Sequence, residues 1–258
     1  MFDISKIDKN FQVDTKLDKE DIKFYSIEEA PFKIYGVFKE NEKYRRMPED
    51  VAKSVSDGVY RLHSNTAGAR VRFATDSPYI AINAVMGALG KMSHFPRTGS
   101  GGVDMYADGV YVKTFVPAFD ITNGYESIFE FEKKEMREIT INFPLYSEVK
   151  DLYIGLHNGA DIKAAKPYKT DKPIVYYGSS ITQGGCASRP GMSYEAIVSR
   201  EFDCDYINLG FSGNAKAEDE IADYIKNLDM SVFVYDYDHN APTTEHLKKT
   251  HERMFGKI

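Results

Sequence analysis

The 258-residue sequence contains no tryptophan and only two cysteines, Cys186 and Cys204. Two cysteines cannot build the dense disulfide framework of a small secreted domain. No apolar run approaches the ~18 residues of a bilayer-spanning helix, so no membrane segment is expected. A basic excess is missing as well: 33 Lys and Arg stand against 39 Asp and Glu, a net charge of −6. Nucleic-acid binding through a basic surface is therefore not expected. The one short basic cluster, Lys43-Tyr44-Arg45-Arg46, reads as a solvated loop or the edge of a site. No His/Cys/Asp grouping is read as having metal-ligand spacing, so neither a metal nor another cofactor is expected. Internal repeats and low-complexity tracts are absent, which argues against solenoids and tails. The opening residues Met1-Phe2-Asp3-Ile4-Ser5-Lys6 are charged and carry no signal-peptide apolar core. A cytoplasmic setting is the simplest reading, and a chain with its leader removed would read the same.

What is present divides in two. Residues 1 to about 20 form a polar arm, and Phe32–Phe38 alternates like a strand. Pro48–Val55 reads as a short helix with proline at its start. Alternating runs follow at 59–63, 69–75, 79–85, 103–107, 110–115, 127–131, 137–143 and 152–156, the last taken as the end of the series. Asp108-Gly109 between two such runs is a hairpin signal. Closely spaced strands with turns between them predict a jelly-roll-like β-sandwich over residues 1–165. Residues 160–172, with Lys166-Pro167 and Lys172-Pro173, read as a linker. Residues 170–258 then alternate strand and helix: strands near 173–177, 205–209 and 231–236, helices near 192–202, 216–228 and 244–258. That order predicts a parallel sheet flanked by helices.

The stretch Tyr177-Gly178-Ser179-Ser180-Ile181-Thr182 sits between the first of these strands and a helix. Free backbone N–H groups at such a junction suit a serine whose reaction builds an oxyanion. Ile207-Asn208-Leu209-Gly210-Phe211-Ser212-Gly213-Asn214 and Val232–Pro242 are two further strands ending in small and polar residues. In an open α/β sheet all three deliver loops to the carboxyl edge, where ligands bind.

With these three segments the chain resembles the SGNH (GDSL-like) hydrolase family. The resemblance implies Ser180 as nucleophile, Gly213 as an oxyanion donor through its N–H, and Asn240 as a second donor through its side-chain amide. Ser179 stands where many members carry Asp. A structural reading remains for each: Gly213 serves a tight turn, and Asn240, before Ala241-Pro242, serves as a turn residue. Upstream, Gly101-Gly102-Val103-Asp104-Met105-Tyr106 resembles the GxDLY signature of a β-rich domain that precedes one group of these hydrolases, with Met105 in place of Leu. Asp104 and Tyr106 are expected to hold that domain together rather than touch substrate. Arg189 could bind a substrate group or cap a loop, and the loop around His94 is a candidate to overhang the cleft.

The family also carries an Asp-x-x-His block late in the domain, supplying the base and its orienting carboxylate. None of His63, His94, His157, His239, His246 and His251 is assigned to it. His239 lies beside Asn240, but neighbouring loop residues ordinarily face different ways. The amphipathic helix running to Ile258 without a cap or a following strand adds to the expectation that the flavodoxin-like three-layer α/β/α hydrolase domain is C-terminally incomplete. The resemblance implies a serine esterase that cleaves small acyl esters, acetyl foremost, on carbohydrate. Without the Asp and His this chain is expected to be slow or inactive. Two alternatives stay open: a carbohydrate-binding protein on a degenerate hydrolase scaffold, and an acyltransferase. An apolar sheet face left uncovered would favour a homodimer.

Overall fold

The computed structural model describes residues 17–258; the expected polar arm lies mostly outside them. In chain order come strands β1 (Ile22–Ser26) and β2 (Lys33–Tyr35), the hairpin β3 (Phe38–Glu40) and β4 (Lys43–Arg45), and helices α1 (Glu49–Val55) and α2 (Asp57–Leu62). Next are β5 (Arg70–Thr75), β6 (Tyr79–Met86), a single turn α3 (Arg97–Ser100), β7 (Val103–Ala107) and β8 (Val110–Phe115). Then follow β9 (Gly124–Glu130), β10 (Arg137–Asn142), β11 (Val149–His157) and the short β12 (Ile162–Lys163).

These strands make two antiparallel sheets. One runs β1-β11-β6-β9; the other runs β12-β5-β10-β7-β8, with β2 also on β5. Alternate residues point inward, so Val71, Phe73, Met105, Ile139 and Ile141 of one sheet meet Ile80, Ile82, Ile154 and Leu156 of the other in one buried cluster. The sandwich is the predicted one, because period-2 alternation commits one face of each strand to the interior. The Asp108-Gly109 turn has φ of +50° and +80°, both left-handed as a type I′ hairpin requires.

The rest is α/β: β13 (Ile174–Gly178), α4 (Ser180–Gln183), α5 (Tyr194–Phe202), β14 (Tyr206–Gly210), α6 (Asp219–Ile225), β15 (Val232–Asp236) and α7 (Thr244–Lys257). The three strands are parallel in the order β14-β13-β15, with Tyr177 in register with Leu209 and Tyr235. β15 has no further neighbour among the described residues, and Val232 on it is exposed. No described helix is long and apolar enough to cross a membrane.

Four local expectations are corrected. Residues 59–63, read as a strand, lie in or at the end of α2. Ser56 caps it by accepting the Val59 N–H at 3.2 Å, and Val59 and Leu62 pack on the α/β core beside Leu209 and Phe211. Tertiary docking and a cap therefore override a short alternating run. The predicted strand 32–38 is broken by Gly36 at φ +76°, where a side chain would collide with the Gly68 carbonyl. β11 is not the last sandwich strand: β12, inside the presumed linker, pairs with β5 through Ile162 and Thr75. Finally, Arg45 and Arg46 are not solvated; they are 5% and 2% exposed.

Candidate active site

The carboxyl ends of β13, β14 and β15 are stitched together by their own backbone. Phe211 N–H donates to Gly178 O at 2.8 Å, and Ser179 N–H donates to Asp236 O at 3.0 Å. Gly178 leaves no room for a Cβ, which would strike Thr182 and the Asp236 carbonyl. Ser179, fully buried, caps α4 by accepting the Ile181 N–H at 3.2 Å. Ser180 follows as the first residue of α4, partly exposed at this edge.

The β14 loop is anchored to α4 by two buried amides. Asn208 donates Nδ2 to Thr182 O at 2.6 Å and accepts the Gly210 N–H at 2.9 Å. Gln183 accepts the Ser212 N–H at 2.9 Å and donates Nε2 to Asn65 Oδ1 and Leu145 O at 3.2 and 3.3 Å. The next residue, Gly213, has φ +70° with nothing within 4 Å of where a Cβ would stand. Its glycine is therefore demanded by backbone conformation rather than by space.

Asn240 ends a 3-10 turn after β15 and donates Nδ2 to Phe211 O at 3.1 Å, which leaves the other amide hydrogen for a ligand. Ser180, Gly213 and Asn240 thus belong to three loops on one sheet edge, tied through Gly178, Phe211 and Gln183.

No described histidine hydrogen-bonds the Ser180 hydroxyl. His63 is buried against Arg45 and the Tyr60 carbonyl. His157 faces Asp21 at 3.5 Å, His246 meets the Lys216 carbonyl at 2.9 Å, and His251 stacks on Tyr235 at 4.5 Å. His94 is exposed, but its loop does reach the segment after the serine: Cys186 Sγ approaches His94 O at 3.6 Å, and Thr98 donates to Ser188 O.

Asp236 stands three residues before His239, so an Asp-x-x-His spacing lies inside the third block itself. Asp236, Asp238 and His239 bring carboxylate and imidazole atoms within 4.8 Å of one another. Partial burial and the Asp238 carboxylate raise the Asp236 pKa, with His239 opposing. These three are also the described residues able to offer a metal its ligands, a grouping not anticipated because Asp238 and His239 converge on Asp236 only through the 3-10 turn.

Residues that spacing could not flag complete the surroundings. Arg46, buried without a carboxylate partner, donates Nη1 to Gly210 O at 2.6 Å and Nη2 to Leu62 O at 2.7 Å, and covers the Phe211 ring at 4.7 Å. Burial depresses its pKa. Tyr146, from the sandwich side, donates to Ser180 O at 3.4 Å, and burial raises its phenol. Asp104 of the GxDLY-like motif is fully buried; it accepts from Asn142 Nδ2 at 2.8 Å and from the Gly191 N–H at 2.7 Å. Burial lifts its carboxyl to about 6. Arg189 turns toward the sandwich, 3.8 Å from Asp104 and over the Tyr111 ring at 3.9 Å. The motif therefore ties the sandwich to the loop that follows Ser180.

Known proteins match most of the chain. Residues 171–258 match the model of the GDSL-like lipase/acylhydrolase family, and residues 22–162 match the GxDLY model, the N-terminus of SGNH-hydro-type esterases. A GDSL-like lipase candidate from Bacteroides ovatus ATCC 8483 superposes with a TM-score of 0.82 at 30% identity, over 92% of this chain and 70% of that one. A salicylyl-acyltransferase from a tetracycline biosynthetic pathway gives 0.67 at 18% identity, over 86% and 63%. A family two carbohydrate esterase from Cellvibrio japonicus gives 0.56 at 10% identity, over 91% and 74%. The latter two likenesses bear on fold alone. No curated protein matches the sequence.

Proposed function

Because the chain belongs to the GDSL-like lipase/acylhydrolase family and carries its GxDLY-type N-terminal domain, we propose that it acts on small acyl esters, acetyl esters of carbohydrate foremost, through an acyl-serine at Ser180. The observation that carries the reading is the joining of Ser180, Gly213 and Asn240 on one sheet edge by Phe211 N–H to Gly178 O, Gln183 to Ser212 and Asn240 to Phe211 O.

In this reading Ser180 Oγ attacks the acyl carbon and its proton passes to a base. The carbonyl oxygen becomes an oxyanion, met by the N–H groups of Ser180 and Gly213 and by Asn240 Nδ2. Collapse breaks the carbon–oxygen bond to the alcohol, which leaves with a proton. Water then attacks the acyl-serine, releasing the acid and restoring the hydroxyl. The rigid anchoring of Asn240 and Ser212 supplies donors that need no reorganisation when charge develops.

The carbohydrate preference rests on the fold shared with a family two carbohydrate esterase and on 18 tyrosines. We place the rate of this chain low, since Ser180 Oγ has no described histidine as partner. A serine without its base loses roughly four orders of magnitude or more.

Incubation with an activated acetate ester, with intact-mass detection of the acyl-enzyme, tests both statements. The expected result is slow acetylation of the wild type and none of Ser180→Ala. Equal background rates and no adduct would overturn the catalytic reading in favour of a binding scaffold. A fall of His239→Ala to the Ser180→Ala level would overturn the low-rate statement and make His239 the base.

A further inference from the structure

A cavity of about 330 Å³ lies between the outer face of the sandwich and α5. Its wall on the sandwich side is set by register: Thr140 of β10 pairs with Arg72 of β5 and with Tyr106 of β7. Because Val71 and Phe73 point into the sandwich, Arg72 between them must point out. Arg200 comes from the last turn of α5, and Tyr206, which begins β14, closes the base. The cavity therefore sits at the amino edge of the parallel sheet, opposite the edge that carries Ser180.

Two arginines, Arg72 and Arg200, line this space. Arg72 Nη1 and Arg200 Nη1 are both buried and without a hydrogen-bond partner. Each guanidinium is held flat by a tyrosine: Arg72 over Tyr168 at 4.1 Å and Arg200 over Tyr106 at 4.3 Å. Stacking fixes the plane and leaves the N–H edge to be used.

The neighbouring carboxylates are occupied elsewhere. Asp205 pairs with Arg70, and Asp203 lies 4.0 Å from Lys169. Asp108 accepts the Glu138 N–H at 2.9 Å, and Glu138 accepts the Lys166 N–H at 3.0 Å. Buried donors are satisfied in nearly all folded proteins, and an exception asks for a missing partner.

We propose that this cavity binds a small hydroxylated molecule through a single oxyanion head, a carboxylate or a phosphate, gripped by Arg72 and Arg200. Planar guanidinium forks match the paired oxygens of either head. The rim carboxylates Asp108, Glu138 and Asp203 each keep a second oxygen that can accept from a hydroxyl group, so one charge and several hydroxyls fit the site. This site is independent of the ester chemistry at Ser180.

Calorimetric titration of the full chain with glucuronate, inorganic phosphate and glucose tests it, beside Arg72→Gln, Arg200→Gln and Ser180→Ala. The expected result is saturable binding of glucuronate or phosphate, weakened at least about tenfold by each arginine variant and unchanged in Ser180→Ala. Titration with glucose 6-phosphate, which shares the ring and most of the hydroxyls of glucuronate, then identifies the head by which of the two binds more tightly. Melting curves matching the wild type establish that the arginine variants are folded; should one variant unfold, the other carries the comparison. Three results would overturn the proposal: no saturable binding of either anion up to about 10 mM, binding undiminished in folded arginine variants, or glucose bound as tightly as glucuronate.

Discussion

Glu195 shows how far one residue can depart from its sequence reading. In the sequence it is an ordinary helix-forming residue; in the structure it is fully buried, with only the hydroxyls of Ser193 and Tyr194 and its own backbone N–H near its carboxyl. Burial, with the Asp236 charge nearby, pushes its pKa up to about 8. The carboxyl is thus protonated in the folded protein at neutral pH and ionised in the unfolded chain. Its contribution is fully present below the unfolded value of about 4.5 and is lost as pH rises from there to about 8. The loss should be on the order of 1 kcal/mol per pH unit across that window. Chemical denaturation of the wild type and of Glu195→Gln over pH 4 to 9 checks this; about equal slopes with pH would exclude Glu195 as the source. Asp104 has the same sign over a lower window, ending near its value of about 6.

At the scale of elements, the glycines of the site separate two kinds of requirement. Gly178 is fixed by crowding, because any Cβ meets Thr182 and the Asp236 backbone. Gly213 is fixed by its φ of +70° in open space. Gly213→Ala should therefore fold, losing about 1–2 kcal/mol to the left-handed backbone penalty, whereas Gly178→Ala should fail to give soluble protein. Thermal melts and expression yield distinguish the two. In the same way α2 forms where alternation suggested a strand. Five residues are too few to fix a period, and the Ser56 cap together with burial of Val59 against Phe211 decides.

For the whole molecule, the governing question is how the sandwich holds the α/β half. Arg70 on β5, its side chain 2% exposed, pairs with Asp205 just before β14. It also donates to Tyr206 O at 3.2 Å and to Tyr168 OH at 2.7 Å, and lies over the Tyr206 ring at 4.1 Å. Arg46, Asp104, Gln183 and Tyr146 make further polar ties. Arg70→Ala leaves the Asp205 carboxylate without its partner and removes a stacked cation, a loss of about 3–5 kcal/mol. Calorimetry should show the variant unfolding at a lower temperature than the wild type, or in two steps; unfolding indistinguishable from the wild type would mean that the remaining ties suffice.

The sequence alone determined most of the sandwich strands and the strand–helix order of the second half. Period-2 runs with an Asp-Gly turn specify strands that bury one face, and strand–helix alternation specifies a parallel sheet. It also determined that Ser180, Gly213 and Asn240 come from three loops of one sheet edge, since parallel strands all end on the same side. Tertiary structure decided what contacts between distant segments decide: the burial of Arg46 and Glu195, the docking of α2, the tie from Asp104 to Gly191, the gathering of Asp236, Asp238 and His239, and the two tyrosine-stacked guanidiniums at the opposite edge. A charged side chain takes its meaning from its neighbours, and the three-dimensional chain supplies those neighbours from positions tens to hundreds of residues away.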